Sequence, residues 1–192
     1  MNRYPAIALI ELDSIACGAL TGDAMIKKAP IDMLRTGTVQ PGKYLVLVGG
    51  TVGDIEEAYN EGLRVAGDHL LDSVFLPAVH AEVHDALLGE RRIEPHDALG
   101  VIETSTVAAV IHGADAGVKG ADVFVREIRL ADGLGGKGIV MFGGLVADVE
   151  VAVEIGTGVL TGHGCEVFQT VIPSLHEGMH TDAAESTRFQ GT

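Results

Sequence analysis

The 192-residue chain has no tryptophan, three tyrosines and five phenylalanines. So few aromatic faces leave little on which nucleic-acid bases could stack. Positive charge is also scarce: 13 Lys and Arg stand against 27 Asp and Glu, a formal net charge of −14. A field of that sign repels a phosphate backbone, and no nucleic-acid partner is expected. The two cysteines, Cys17 and Cys165, form neither a C-x-x-C motif nor a disulfide framework, so a reducing cytosol is the compartment expected. No apolar run approaches the roughly 20 residues of a membrane span. Met1 to Ala8 lacks the pattern of a signal peptide. No membrane partner is expected.

What the chain does have is glycine, 26 residues spread along its length, and 47% hydrophobic content. Glycine at that density suggests tight turns and close backbone approach. The dominant feature is an internal repeat. Ile10-Glu11 returns as Ile102-Glu103, Asp23-Ala24 as Asp115-Ala116 and Lys27 as Lys119, each 92 residues on. Gly42-Lys43 returns as Gly136-Lys137, and Asp54, Glu56, Ala58 and Gly62 as Asp148, Glu150, Ala152 and Gly156, 94 residues on. Pro77, His80 and His84 return as Pro173, His176 and His180, 96 residues on. Matches in one order with two small insertions mean a duplicated domain, and duplicated modules stack, pair or close rings. The halves, residues 1–92 and 93–192, are small enough that each is expected to lean on a neighbour.

Both halves read alike. Strands are expected at 6–14, 31–38, 43–49 and 72–77, with helices at 18–29, 52–66 and 78–88. The second half repeats this with strands at 99–104, 122–131, 137–143 and 166–172, and helices at 107–120, 145–160 and from about 174. The charged join 89–98 reads as loop, and the tail after Thr181 as frayed. The β-α-β-β-α-β order implies an α+β fold, two tandem ferredoxin-like (split βαβ) units.

The residues then carry a specific likeness. IELDSIACGALTGDAMIKKA resembles the opening of a bacterial microcompartment shell domain with its D-A-x-x-K signature, and VIETSTVAAVIHGADAGVKGA repeats it. PGKYLVLVGGTVGDIEEAYNEG and GGKGIVMFGGLVADVEVAVEIG resemble its second half, and FLPAVH and VIPSLH its last strand. The chain as a whole resembles the tandem-domain, unpermuted shell proteins of the propanediol-utilisation type. That resemblance implies a structural, non-enzymatic subunit in the shell of a cytoplasmic bacterial microcompartment. It implies a homotrimer that forms a pseudohexameric disc with a central pore for metabolites. Other shell proteins at the disc edges and encapsulated enzymes are the further partners it implies. The alternative left open is a tandem α+β sensor that binds a small molecule.

The resemblance also nominates residues. The turns Gln40-Pro41-Gly42 and Leu134-Gly135-Gly136 would line the pore, and Lys27 and Lys119 would pack at disc edges. Relatives that hold an iron–sulfur cluster carry Cys where this chain has Gln40. An amide is no substitute for a thiolate, so no cluster or other cofactor is expected. The pairs His80/His84 and His176/His180 have the i, i+4 spacing that sets two imidazoles on one helix face. The second pair even spells H-E-G-M-H, a zinc-protease string. Its place at the chain's end, the helix-weakening Gly178 and the want of a third ligand argue against a metal site and a catalytic role.

Overall fold

The structure, a computed structural model, describes residues 3–94, 98–161 and 164–188, with the side chains of 182–185 left aside. The first half runs β1 (Ala6–Leu12), α1 (Ile15–Lys28), β2 (Met33–Val39), β3 (Lys43–Gly50), α2 (Val52–Ala66), a 3-10 turn, β4 (Leu70–Leu76) and α3 (Ala81–Leu87). The second runs β5 (Ala98–Thr104), α4 (Val107–Gly120), β6 (Val123–Leu130), β7 (Gly138–Gly144), α5 (Val146–Gly158), β8 (Val167–Ile172) and α6 (Glu177–Glu185). Each half forms a four-stranded sheet, in the orders β2-β3-β1-β4 and β6-β7-β5-β8, antiparallel at every pairing.

An antiparallel sheet with one wet face alternates apolar and polar residues along its strands. Strand β1, AIALIEL, does not: all seven residues are buried. Ala6, Ala8, Ile10 and Leu12 pack with Met25 of α1 and with Ile55 and Ala58 of α2. Ile7 and Leu9 belong to a second core that includes Val107, Ala108 and Ile111 of α4. The first sheet is thus covered on one side by its own helices and on the other by a helix of the second half. Helix α4 has apolar residues on most of its circumference because it lies between two sheets, and ten of its fourteen residues are buried. Each Val, Leu or Ile so buried stabilises the pair of halves by about 1.5–3 kcal/mol.

Helices α4 and α5 pack backbone to backbone. A Cβ on Gly156 would lie 2.7 Å from the Gly113 carbonyl oxygen, and one on Gly113 would lie 2.9 Å from that of Gly156. The repeat thus keeps a glycine at 156 where a side chain has no room.

Two expectations need correction. The chain beyond Thr181 does not fray at once: α6 continues to Glu185. Thr187 then docks on β6, its hydroxyl donating to Glu127 at 2.7 Å and its carbonyl accepting from Arg129 at 3.0 Å. The histidine pairs do not share a helix face, because α3 starts at Ala81 and α6 at Glu177. His80 and His176 stand just before those helices. Their Nδ1 atoms accept the backbone N–H of Glu82 at 3.4 Å and of Gly178 at 3.1 Å.

Candidate functional site

The two halves meet along a seam built from repeated residues. Glu11 points from β1 into it and is fully buried. Its carboxylate accepts Lys43 Nζ at 2.6 Å, the Val107 N–H at 2.7 Å and the Ala108 N–H at 3.4 Å. Those two amides are the first of α4, where free N–H groups and the helix dipole favour a negative charge. Thr106, the residue ahead of α4, makes no side-chain cap of its own; its hydroxyl donates to Asp72 of β4. Burial pushes the Glu11 carboxyl above the usual range, against the opposing pull of Lys43 and the two amides.

Lys43 extends the same network. Besides Glu11 it donates to the Gly136 carbonyl at 3.1 Å and the Ser105 carbonyl at 3.5 Å. This brings the β2–β3 turn against the β6–β7 loop, where the nominated residues sit. The Gln40 N–H donates to Asp132 at 3.0 Å, and the Gln40 side-chain oxygen accepts the Gly133 N–H at 3.2 Å. Gly136 has φ 88°, and a Cβ there would lie 2.6 Å from Pro41. Only glycine meets both the conformation and the approach. The structure therefore gathers Gln40, Pro41, Gly42 and Gly136 at one end of the seam, with Leu134 and Gly135 in the same loop. Neither loop carries a thiol, since Cys17 lies in α1 and Cys165 precedes β8. With Gln40 as its amide donor set, this end does not fit an iron–sulfur cluster.

At the other end, the Asp115 carboxylate accepts the His80 N–H at 2.8 Å, and Lys119 donates to both Asp115 and the Ala78 carbonyl. Lys119 thus sits on the seam, while its counterpart Lys27 pairs, among the described residues, with Asp23 on the exposed side of α1. Among the described residues no group of three His, Cys, Asp or Glu is placed to hold a metal. A shallow cleft of about 760 Å³ beside the end of α5 holds Glu154, Thr157 and Cys165, with the thiol pushed up by burial and by Asp72.

Sequence reasoning passed over Glu11, Lys43, Asp115 and Asp132. The first three lay inside the repeat, and a charged residue repeated within an apolar strand was the available signal for Glu11. Asp132 lies in the longer loop of the second half and has no repeated partner to mark it.

These features define a class: a tandem-repeat α+β subunit whose two domains are joined by a heterologous, polar-coded seam. The family model for the BMC domain matches residues 6–79 and again 98–175. The bacterial microcompartment shell protein PduT of Citrobacter freundii is 40% identical over 180 residues, spanning 94% of this chain and 98% of that protein. A crystal structure of a microcompartment protein from Desulfitobacterium hafniense DCB superposes with a TM-score of 0.81 at 38% identity, covering 92% of this chain and 98% of that one. The carboxysome assembly protein CcmO of a Synechocystis strain is 25% identical over 166 residues, and the match covers 79% of this chain and 55% of that protein. The chain belongs to the BMC-domain family, with two unpermuted copies in tandem, and is a structural subunit of a bacterial microcompartment shell.

Proposed function

We propose that three copies close into a flat ring of six domains, with the Gln40 and Leu134 loops alternating around a central pore. One observation carries this reading: the chain owns both halves of its seam twice, and one set is unused. In α4 the residues Val107, Ala108, Ile111, Asp115 and Val118 are buried against the first half, whereas their counterparts in α1 (Ile15, Ala16, Ala19, Asp23 and Ile26) are exposed. In the first sheet Leu9, Leu45, Leu47 and Val74 are buried, whereas Val101, Ile139, Met141 and Thr170 of the second are half-buried or exposed. The free α1 face and the free β5–β7–β8 face are thus the two halves of an interface already present in the chain. A heterologous contact of this kind closes a ring when its rotation divides the circle.

The pore would be polar. Three Gln40 amides ring it, each already tied through its oxygen to Gly133, and they suit small polar metabolites better than an iron–sulfur cluster. The subunit works without catalytic residues of its own, in keeping with relatives that are shell proteins. Lys27, exposed beside Asp23, and Lys119, whose ammonium is held at the seam while its side chain stays 42% exposed, would pack their stems against neighbouring discs and other shell proteins, while enzymes are enclosed behind the sheet.

Mass photometry of the purified chain tests the ring. A particle of three times 20.0 kDa is expected, with extended sheets in electron micrographs. A stable monomer overturns the proposal. A discrete oligomer that binds a metabolite and never forms sheets replaces it with a sensor.

A further inference from the structure

Positive charge is scarce in this chain, yet arginines gather at one place. Arg91 in the join between the halves, Arg126 and Arg129 on β6, and Arg188 beyond α6 line two adjoining hollows. The register of β6 shows how one of them comes to be there. Val125 pairs with Phe142 and Glu127 with Met141, so Arg126 is the extra residue of a bulge. In the first half β2 runs against β3 without a break from Met33 to Val39. A bulge leaves its extra residue outside the ladder and re-aims its side chain. Arg126 therefore has no equivalent in the first half.

The Arg126 carbonyl accepts the Arg92 N–H at 3.0 Å, which lays the join over β6, and the residue is 6% exposed. An arginine so deeply buried is ordinarily paired. Among the described residues none accepts a hydrogen bond from its guanidinium, and the charge that acts on it is that of another arginine, Arg91. Burial, with the repulsion of Arg91, holds its pKa below the ordinary value. Arg129 is half used. Its Nη1 donates to the Thr187 carbonyl at 3.0 Å, but its buried Nε has no acceptor among the described residues. Glu127, between the two arginines in sequence, is already engaged by Arg91 at 3.3 Å and by the Thr187 hydroxyl at 2.7 Å.

The larger hollow is a cleft of about 410 Å³ between the end of α3 and β6, lined by Arg35, Arg91, Arg129 and Arg188. Arg126 lies in the smaller one, which shares Arg91 and Glu127 with the cleft and has room for about one water. A ligand therefore fits the cleft, with Arg126 beside it. These five arginines face three acids, Glu90, Glu127 and Asp132, an excess of two positive charges. A phosphate group near neutral pH carries close to two negative charges, and its oxygens match the planar fork of a guanidinium.

We infer that this cleft binds the phosphate group of a small molecule, held by Arg91, Arg129 and Arg188, with Arg126 adding positive charge from the adjoining hollow. The site is complete within one chain and does not rest on the proposed ring. β6 is the sheet edge opposite β8, whereas β4, the counterpart of β8, is the strand that Thr106 ahead of α4 touches through Asp72. The contact between copies falls, by the repeat, at that other edge.

Calorimetric titration of the full chain with inorganic phosphate, at fixed pH and ionic strength in chloride, tests the site. Saturable binding of one phosphate per chain is expected, and Arg129→Gln should weaken it by about ten-fold or more. Arg126→Gln should also weaken binding. Without phosphate it should unfold no earlier than the wild type, because it removes a buried charge that has no partner. An arginine that served packing alone would give the reverse, a lower midpoint with phosphate binding intact, and that result overturns the inference. Saturable binding that both variants retain marks an adventitious ion only and overturns it too, as does a wild type that takes up no phosphate. Competition by glycerol phosphate would assign the site to a phosphorylated metabolite, and its failure to compete would assign the site to free phosphate.

Discussion

Glu11 and Lys43 meet at 2.6 Å in the seam between the two halves, the carboxylate fully buried and the ammonium nearly so. One oxygen of Glu11 binds the lysine and the other binds the first two amides of α4, so a single side chain ties two strands of one domain to a helix of the other.

Removing one member of such a group strands the others. Glu11→Ala should destabilise the subunit by about 3–5 kcal/mol, because Lys43 and two helix amides lose their partner together. Glu11→Gln keeps an acceptor for the Val107 amide and should cost about 1–3 kcal/mol. Urea unfolding of the two variants checks the order, and equal midpoints would contradict it.

Two carboxylates should bend the pH dependence of stability in opposite directions. The Arg3 guanidinium, with a lesser contribution from His84, holds the Asp85 carboxyl below its ordinary 3.8. Its contribution is fully present above pH 3.8 and is lost as pH falls through the lower folded value. Burial holds Glu11 above its ordinary 4.5, so its contribution is present below pH 4.5 and is lost as pH rises through the raised value. Thermal midpoints against pH should flatten on the acid side for Asp85→Asn and above pH 4.5 for Glu11→Gln.

Gly156→Ala sets helix propensity against packing. Alanine favours a helix by up to about 1 kcal/mol over glycine. The new methyl would sit 2.7 Å from the Gly113 carbonyl oxygen, and both groups are on rigid backbone. A net loss of about 1–3 kcal/mol is expected from overpacking. Calorimetry that found the variant more stable would show that α4 and α5 can separate.

Gln40→Cys addresses the pore. In the proposed ring it would set three thiols around one axis, the ligand type an iron–sulfur cluster requires. Anaerobic reconstitution with iron and sulfide should give a brown absorbance in the variant and none in the wild type. A colourless variant that still trimerises would place the turn away from the axis.

Much of the fold is legible in the sequence. Helices 52–66 and 107–120 fall where the sequence sets them, and the strands expected at 43–49 and 137–143 run one residue further, to Gly50 and Gly144. The helices after the last strands were set too early, because His80 and His176 look helical in sequence but cap from outside. The nominated turns were found through Gly42 and Gly136, yet the contact between them depends on Lys43 and Asp132, whose partners lie some 90 residues away.

The sequence alone determined that there are two like domains, that each is a sheet with helices, and that the turns differ between copies. Local spacing and the repeat carry that information, because side-chain periodicity and turn chemistry act over a few residues. Tertiary structure decided which copy of each repeated charge is buried. Glu11 and Glu103 are the same residue in the same strand position; only the packing of α4 over the first sheet desolvates one and leaves the other open. Desolvation depends on what lies across the chain, and no local pattern records it.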